Sequence, residues 1–350
     1  MPTEPTTRYA RQMILPGIGV DGQQRLADAH AMIVGVGALG CTSADLLVRA
    51  GVGRVTLIDR DLVERSNLHR QSLFTEQDAS DRRPKAAAAE ARLRFVNPDV
   101  RTIGVVADFN ASNAEALIED GEHGRPDVLV DGTDNFETRY LLNDCSVMLG
   151  IPYIYGGAVG TRGMAAAFRP GRTACLRCVF DEAPVPGSQP TCTTAGVLAP
   201  VSSIVASMQA AEAIKLLAGA DEAVSTDLVI LDGWKNTSSR IDLRGARDPD
   251  CPCCGRRVFP SLDAPGEPAV TLCGRNAVQI QPAGGRWVDL GAIGESLRTH
   301  GEVSEADGFV RGRLEDEGYA LTVFRDGRAL IEGTEDIGVA RAVYDRYIGT

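Results

Sequence analysis

At 350 residues, 44% hydrophobic and 24% charged, the chain can bury a large core and is expected to form one large domain and a smaller one. Its net charge of −11 argues against nucleic acid as a partner, and no stretch approaches the roughly 18 to 20 uncharged apolar residues of a membrane span. The opening "MPTEPTTRYARQ" lacks the apolar core of a secretion signal, so a cytoplasmic location with no membrane attachment is expected.

"HAMIVGVG" is a short apolar run of the kind buried in a parallel sheet, and "TSADLLVRAG" after it has helical spacing with a stop at Gly51. "RVTLIDRD" is a second buried strand. "PKAAAAEARLRFVNP" predicts a helix that starts at Pro84 and stops at the Asn97–Pro98 pair. "VRTIGVVADF" and "PDVLVDGTDN" continue the alternation, which predicts an α/β fold with a doubly wound, Rossmann-like, mostly parallel sheet. Residues 181–200 are rich in proline and read as a loop, and "PVSSIVASMQAAEAIKLLAG", ending at Gly219, predicts a long apolar helix packed under the sheet. From about Pro265 the pattern changes. "YALTVFRDGRALIEGT" predicts two strands about an Asp-Gly turn and "GVARAVYDRYIG" a helix, so 265–350 is expected to be a small α+β domain, separate from 1–264.

"GVGALG", Gly35 to Gly40, fits G-x-G-x-x-G directly after a strand and before a helix. Glycines permit the tight turn and let a pyrophosphate approach backbone amides at the helix start. Asp59, about 20 residues on at the end of the next strand, can accept hydrogen bonds from ribose hydroxyls. Together they predict a nucleotide; the competing reading is glycine kept only for close packing. A dehydrogenase would also need a proton-transfer residue, yet His30, His69, His123 and His300 form no evident catalytic cluster. "DRDLVERSNLHRQ" and the lysine that follows it supply Asp61, Asn67, Arg70, Gln71 and Lys85, more than a diphosphate between two nucleosides requires. A triphosphate fits better. Arg70 can grip phosphate oxygens bidentately and Lys85 can act as a movable point charge, unless the stretch is only a solvated basic loop. "DGTDN", Asp131 to Asn135, ends another strand on the edge where ligands of open α/β sheets gather. Asp134 there can hold Mg²⁺ while Asn135 orients the ligand; the competing reading is a turn-forming Asp and helix N-cap.

Nine cysteines in a reducing compartment point to metal binding or thiol chemistry. Cys175 with Cys178, and Cys251 with Cys254, are two C-x-x-C pairs suited to one structural, tetrahedral Zn²⁺, although Cys253 allows another register in "CPCC". Cys41, Cys145 and Cys273 read as small apolar fillers. Cys192, in the proline-rich loop, is a candidate nucleophile against a structural loop thiol.

"RYARQ", "GVGALG", "LIDRDLVERSNLHRQ", "PK", "DGTDN", the two cysteine pairs and "TCTTAGVLAP" run in order from Arg8 to Gly255 and resemble the ThiF/MoeB family, bacterial relatives of the ubiquitin-activating enzymes. The resemblance implies an adenylyltransferase that activates the C-terminal glycine of a ubiquitin-like sulfur carrier protein, ending in Gly-Gly, with Mg-ATP. It implies a nucleotide site of Gly35, Gly37, Ala38, Gly40, Asp59, Asp61, Ser66, Asn67, Arg70, Gln71, Lys85, Asp134 and Asn135, with Asp134 on Mg²⁺ and the four paired cysteines on Zn²⁺. Arg11 corresponds to an arginine that reaches the neighbouring subunit's ATP, which implies a homodimer, and Cys192 to a loop cysteine that in some members joins covalently to the carrier or its sulfur. Residues 181–200 match the family's crossover loop, the natural lid over a carrier tail.

The chemistry needs no general base, because a carboxylate is already ionised at neutral pH and can attack the α-phosphorus once aligned. Arg11, Arg70, Lys85 and Mg²⁺ would offset charge on the departing pyrophosphate. The tail beyond Pro265 has no C-R-x-G-x-R-like loop of a rhodanese, so sulfur is expected from a separate donor. Two other readings stay open: an NAD-dependent oxidoreductase, and a family relative that adenylates a peptide or tRNA.

Overall fold

Five short apolar runs make the parallel part of an eight-stranded sheet: β1 (His30–Val34), β2 (Arg54–Ile58), β3 (Arg101–Val105), β4 (Val128–Asp131) and β5 (Tyr153–Val159). β6 (Arg162–Phe168), β7 (Asp227–Asp232) and β8 (Thr237–Asp242) extend it antiparallel, in the order β3-β2-β1-β4-β5-β6-β7-β8. The order reverses at β1, which pairs in parallel with both β2 and β4, and such a switch point is where open α/β sheets bind their ligands. The computed structural model describes residues 8–119, 123–181, 195–264, 269–272, 276–282, 288–306, 308–314 and 317–349. Cys192 and Cys273 lie outside them.

The central strands β1, β2 and β4 are buried and largely apolar because both faces of the sheet are covered there. Ala31 and Ile33 of β1 join Val55, Leu57, Val128 and Val130 on one face, packed by the helices Ala38–Ala50, Lys85–Val96 and Ala199–Leu217. Met32 and Val34 join Ile58 and Leu129 on the other, packed by the helix Phe136–Leu149 through Tyr140, Leu142 and Cys145. The expected stops hold: Gly51 ends its helix in the left-handed conformation at φ 81°, and Pro84 and Asn97 bound theirs. The long helix packs under the sheet as its all-round apolar character requires, with Val201, Val205 and Ala206 against Ala165 and Leu231. The hairpins β5–β6 and β7–β8 carry no comparable sequence signal. β8 is an edge strand exposed along its whole length, and its Thr, Ser and Arg residues alternate nothing.

By its internal contacts the chain divides into two compact units, Met1–Ala264 and Pro265–Thr350. The second holds a six-stranded antiparallel sheet of β9 (Ala269–Leu272), β10 (Ala277–Ile280), β11 (Gly301–Ala306), β12 (Phe309–Leu314), β13 (Tyr319–Phe324) and β14 (Ala329–Glu332), ordered β11-β12-β13-β14-β10-β9. β13 and β14 are the hairpin read about Asp326–Gly327. Val310, Leu321, Val323 and Ile331 form its core with Leu297, Ala340 and Val343 from the helices Leu290–Arg298 and Ile337–Tyr347, which Asp289 and Asp336 cap. No helix among the described residues is long and apolar enough to cross a membrane.

Candidate functional site

The turn after β1 is built by glycines that nothing larger can replace. Gly35 has φ 88°, and a Cβ on Gly40 would stand 1.9 Å from the Gly35 carbonyl oxygen. A Cβ on Gly132, in the turn after β4, would meet the same oxygen at the same distance. Three glycines therefore bring the two turns into backbone contact at the switch point, and no sequence motif marks Gly132 as one of them. Gly37 starts the helix Ala38–Ala50 and no side chain caps it, so the first-turn amides point outward with their dipole unspent.

Asp59 ties this loop to β2. Its carboxylate accepts from Val36 N at 2.6 Å and Asp61 N at 2.7 Å. Burial pushes the Asp59 carboxyl up from the ordinary aspartate range; Lys85 pulls it back and the Asp61 carboxylate adds to the rise. Lys85 is itself 5% exposed, with Nζ 3.0 Å from Asp61 Oδ2 and its backbone N–H on the Asp61 carbonyl. Asp61 thus holds the lysine in place. Gln71 is buried beside the glycine loop, its Nε2 3.9 Å from where a Gly37 Cβ would be, and its Oε1 has no hydrogen-bond partner among the described residues. A buried acceptor left unpaired is open to a hydrogen bond from a ligand or a water.

The 65–71 stretch opens on a 3₁₀ turn, Arg65–Asn67, with internal caps. Asn67 Oδ1 accepts from Glu64 N, Ser66 Oγ donates to Glu64 Oε2, and Arg70 Nη1 donates to Ser66 O at 2.8 Å and meets His69 Nε2 at 2.9 Å. Arg70 is thereby held on its own turn. Arg11 lies elsewhere, exposed on the short helix Ala10–Met13.

In "DGTDN" the two acids divide their tasks. Asp131 is fully buried, accepting from Thr133 N and Oγ1, from Tyr153 Oη at 2.8 Å, and facing Arg139 Nε at 3.4 Å. Burial raises its carboxyl while Arg139 and Thr133 oppose the rise. Arg139 also donates to Thr133 O and stacks on Phe136 and Tyr155, and Gln209 Nε2 donates to the Asp131 carbonyl. Asp134, by contrast, is exposed, and Asn135 is the helix N-cap, accepting from Thr138 N at 2.8 Å. Capping therefore falls to Asn135 and leaves the Asp134 carboxylate available. Arg139, Tyr153 and Gln209 brace this turn from three separate elements, which no linear motif could reveal.

The four paired cysteines converge. Their sulfurs lie within 4.8 Å of one another, with neighbours at 3.4 to 3.9 Å. A tetrahedral zinc with bonds of about 2.3 Å needs sulfurs about 3.8 Å apart, so the set fits zinc. From "CPCC" it is Cys251 and Cys254 whose sulfurs join this group, while the buried Cys253 accepts from Asn143 Nδ2. One helix, Phe136–Leu149, supports both halves: Asn143 Oδ1 takes Leu176 N, and Asp144 takes Arg177 bidentately and Ser261 N. Cys41 and Cys145 are buried fillers, as expected, and burial pushes each thiol up to about 12.

Comparison with known proteins agrees with this arrangement. The chain is 44% identical over 346 residues, 98% of its length and 100% of the relative's, to the sulfur carrier protein ThiS adenylyltransferase of Bacillus subtilis. It is 40% identical over 258 residues, 72% of this chain and 92% of the other, to the sulfur carrier protein adenylyltransferase of Thermus thermophilus. The fold is similar to that of E. coli MccB, solved with MccA-N7isoASN, at a TM-score of 0.62 and 23% identity over 72% of this chain and 75% of that one. Residues 9–253 match the ThiF family, and with that span and those identities the chain belongs to it.

Proposed function

We infer that this protein uses ATP to adenylate the C-terminal glycine of a ubiquitin-like sulfur carrier protein, releasing pyrophosphate and preparing the carrier to receive sulfur. The end-to-end likeness to the Bacillus subtilis sulfur carrier protein ThiS adenylyltransferase carries this reading. The site agrees with it chemically. Gly35, Gly37, Ala38 and Gly40 would leave the phosphates in contact with uncapped amides, and Asp59 would take the ribose hydroxyls. Asn67, Arg70, Gln71 and Lys85 would bind the triphosphate, with Ser66 and Asp61 holding Arg70 and Lys85 in reach. The exposed Asp134 would hold Mg²⁺, which would offset charge on the leaving pyrophosphate.

The carrier's carboxylate needs no base at neutral pH, so the residues above need only align it and neutralise the leaving group. On this reading the enzyme is a homodimer in which Arg11 serves the other subunit's site, Cys192 acts after adenylation, and sulfur comes from a separate donor. The four-cysteine site would bind structural zinc, and 265–350 would serve docking or assembly as an accessory domain.

The test is exchange of labelled pyrophosphate into ATP. It is expected with a carrier ending in Gly-Gly and absent with the same carrier shortened by its last glycine. Binding of a nicotinamide dinucleotide with no exchange for any carrier would overturn the reading.

A further inference from the structure

Arg11 is exposed and makes no hydrogen bond or ion pair among the described residues, while its neighbours are held firmly. Gln12 Nε2 donates to Ala50 O at 2.9 Å and to Gln23 Oε1 at 2.7 Å, and the buried Gln23 donates to the same carbonyl at 3.0 Å. Asn97, fully buried, donates from Nδ2 to the Tyr9 hydroxyl at 2.7 Å and to Val48 O at 2.9 Å. The Tyr9 ring lies against Gly51, where a Cβ would stand 2.5 Å from it. The last carbonyls of any helix lack intrahelical partners. Here the end of the helix Ala38–Ala50 uses them as sockets for Gln12 and Asn97, and its glycine cap leaves room for the tyrosine.

The clamp sits at the wrong end of that helix for Arg11 to serve its own nucleotide. Gly37 and the glycine loop are at the helix start; Ala50 is at its end, and 13 residues rise about 20 Å. An arginine side chain reaches roughly a third of that. We propose that Tyr9, Gln12 and Asn97 are positioning residues that fix the backbone of Arg11 so that its guanidinium can be delivered, pre-ordered, to the nucleotide site of a second copy of the chain. This deepens the function proposed above and rests on its reading of Arg11. The physical gain is entropic: an arginine on a frayed terminal segment would have to be ordered at each turnover, whereas a clamped one is ordered in advance.

Subunit mixing separates this from mere stapling of the N-terminal segment. Pyrophosphate exchange is measured for full-length Gln12→Ala and Tyr9→Phe, alone and after one-to-one subunit exchange with Lys85→Ala. Gln12→Ala alone should lose turnover by roughly a hundredfold, with KM for ATP little changed because its own phosphate-binding residues are intact. Mixed with Lys85→Ala it should recover to about one quarter of wild type, since half the dimers then carry one site with its lysine and a well-held arginine from the other subunit. Tyr9→Phe, which lacks only a hydroxyl, should show a smaller loss and the same recovery, and it decides the matter if Gln12→Ala does not fold. No recovery, beside recovery in a control mixture of Arg11→Ala with Lys85→Ala, would overturn the clamp while leaving the cross-dimer arginine in place. Silence in the control as well would remove both.

Discussion

Among single residues, Asp131 and Asp134 show how burial assigns different work to two like side chains. Asp131 is sealed among Thr133, Tyr153 and Arg139 and holds the turn, whereas Asp134 is exposed and its neighbour Asn135 does the capping. A carboxylate buried among three hydrogen-bond donors and an arginine is closed to a cation, whereas an exposed one is open to it. Asp134→Ala is therefore expected to abolish pyrophosphate exchange with an unchanged circular dichroism spectrum. Cys192→Ala should leave exchange intact and impair only the later sulfur step. If the Cys192→Ala protein cannot exchange, the thiol belongs to adenylation. The sequence offered Asp134 for the metal, but the bracing of Asp131 was not legible in the motif, because Tyr153 comes from β5 and Arg139 from the helix Phe136–Leu149.

At the scale of elements, the helix Phe136–Leu149 joins two sites. Its cap begins at the "DGTDN" turn, and at its middle Asn143 and Asp144 seat the cysteine segments. Two C-x-x-C pairs about seventy residues apart can thus act as one clasp because a single helix presents the partners of both. Cys175→Ser is expected to lose zinc and to open residues 175–181 and 248–262 to proteolysis, since structural zinc contributes roughly 10 kcal/mol or more to folding in small modules. Cys253→Ala should retain one zinc per chain, read by metal analysis; loss of zinc there would mean that the register is the other one.

For the molecule as a whole, pH stability offers a measurable consequence of burying the parallel sheet. His30 at the start of β1 is 4% exposed, its Nε2 2.9 Å from Thr56 Oγ1. Burial, helped by the Arg54 charge and opposed by nearby carbonyls and Asp127, lowers it from 6.5 to about 4. Below pH 6.5 the unfolded chain takes up a proton that the folded chain refuses until about pH 4, so this group's contribution is whole above 6.5 and lost between 6.5 and 4, a loss of roughly 3 kcal/mol. Denaturant unfolding at pH 7 and pH 5 should show a smaller decline for His30→Gln than for the native chain; equal declines would remove His30 as the cause. By itself the sequence determined what neighbouring residues can encode: the α/β alternation, the glycine turn with its strand and helix, the helix ends at Gly51 and Asn97, and the spacing of the cysteine pairs. Only the tertiary structure decided which distant groups meet: Gly132 against Gly35, Asp61 on Lys85, Cys178 beside Cys254, and Asn97 on Tyr9. Periodicity and capping act within a few residues along the chain, whereas those contacts join positions 24 to almost 100 residues apart, and folding alone brings them together.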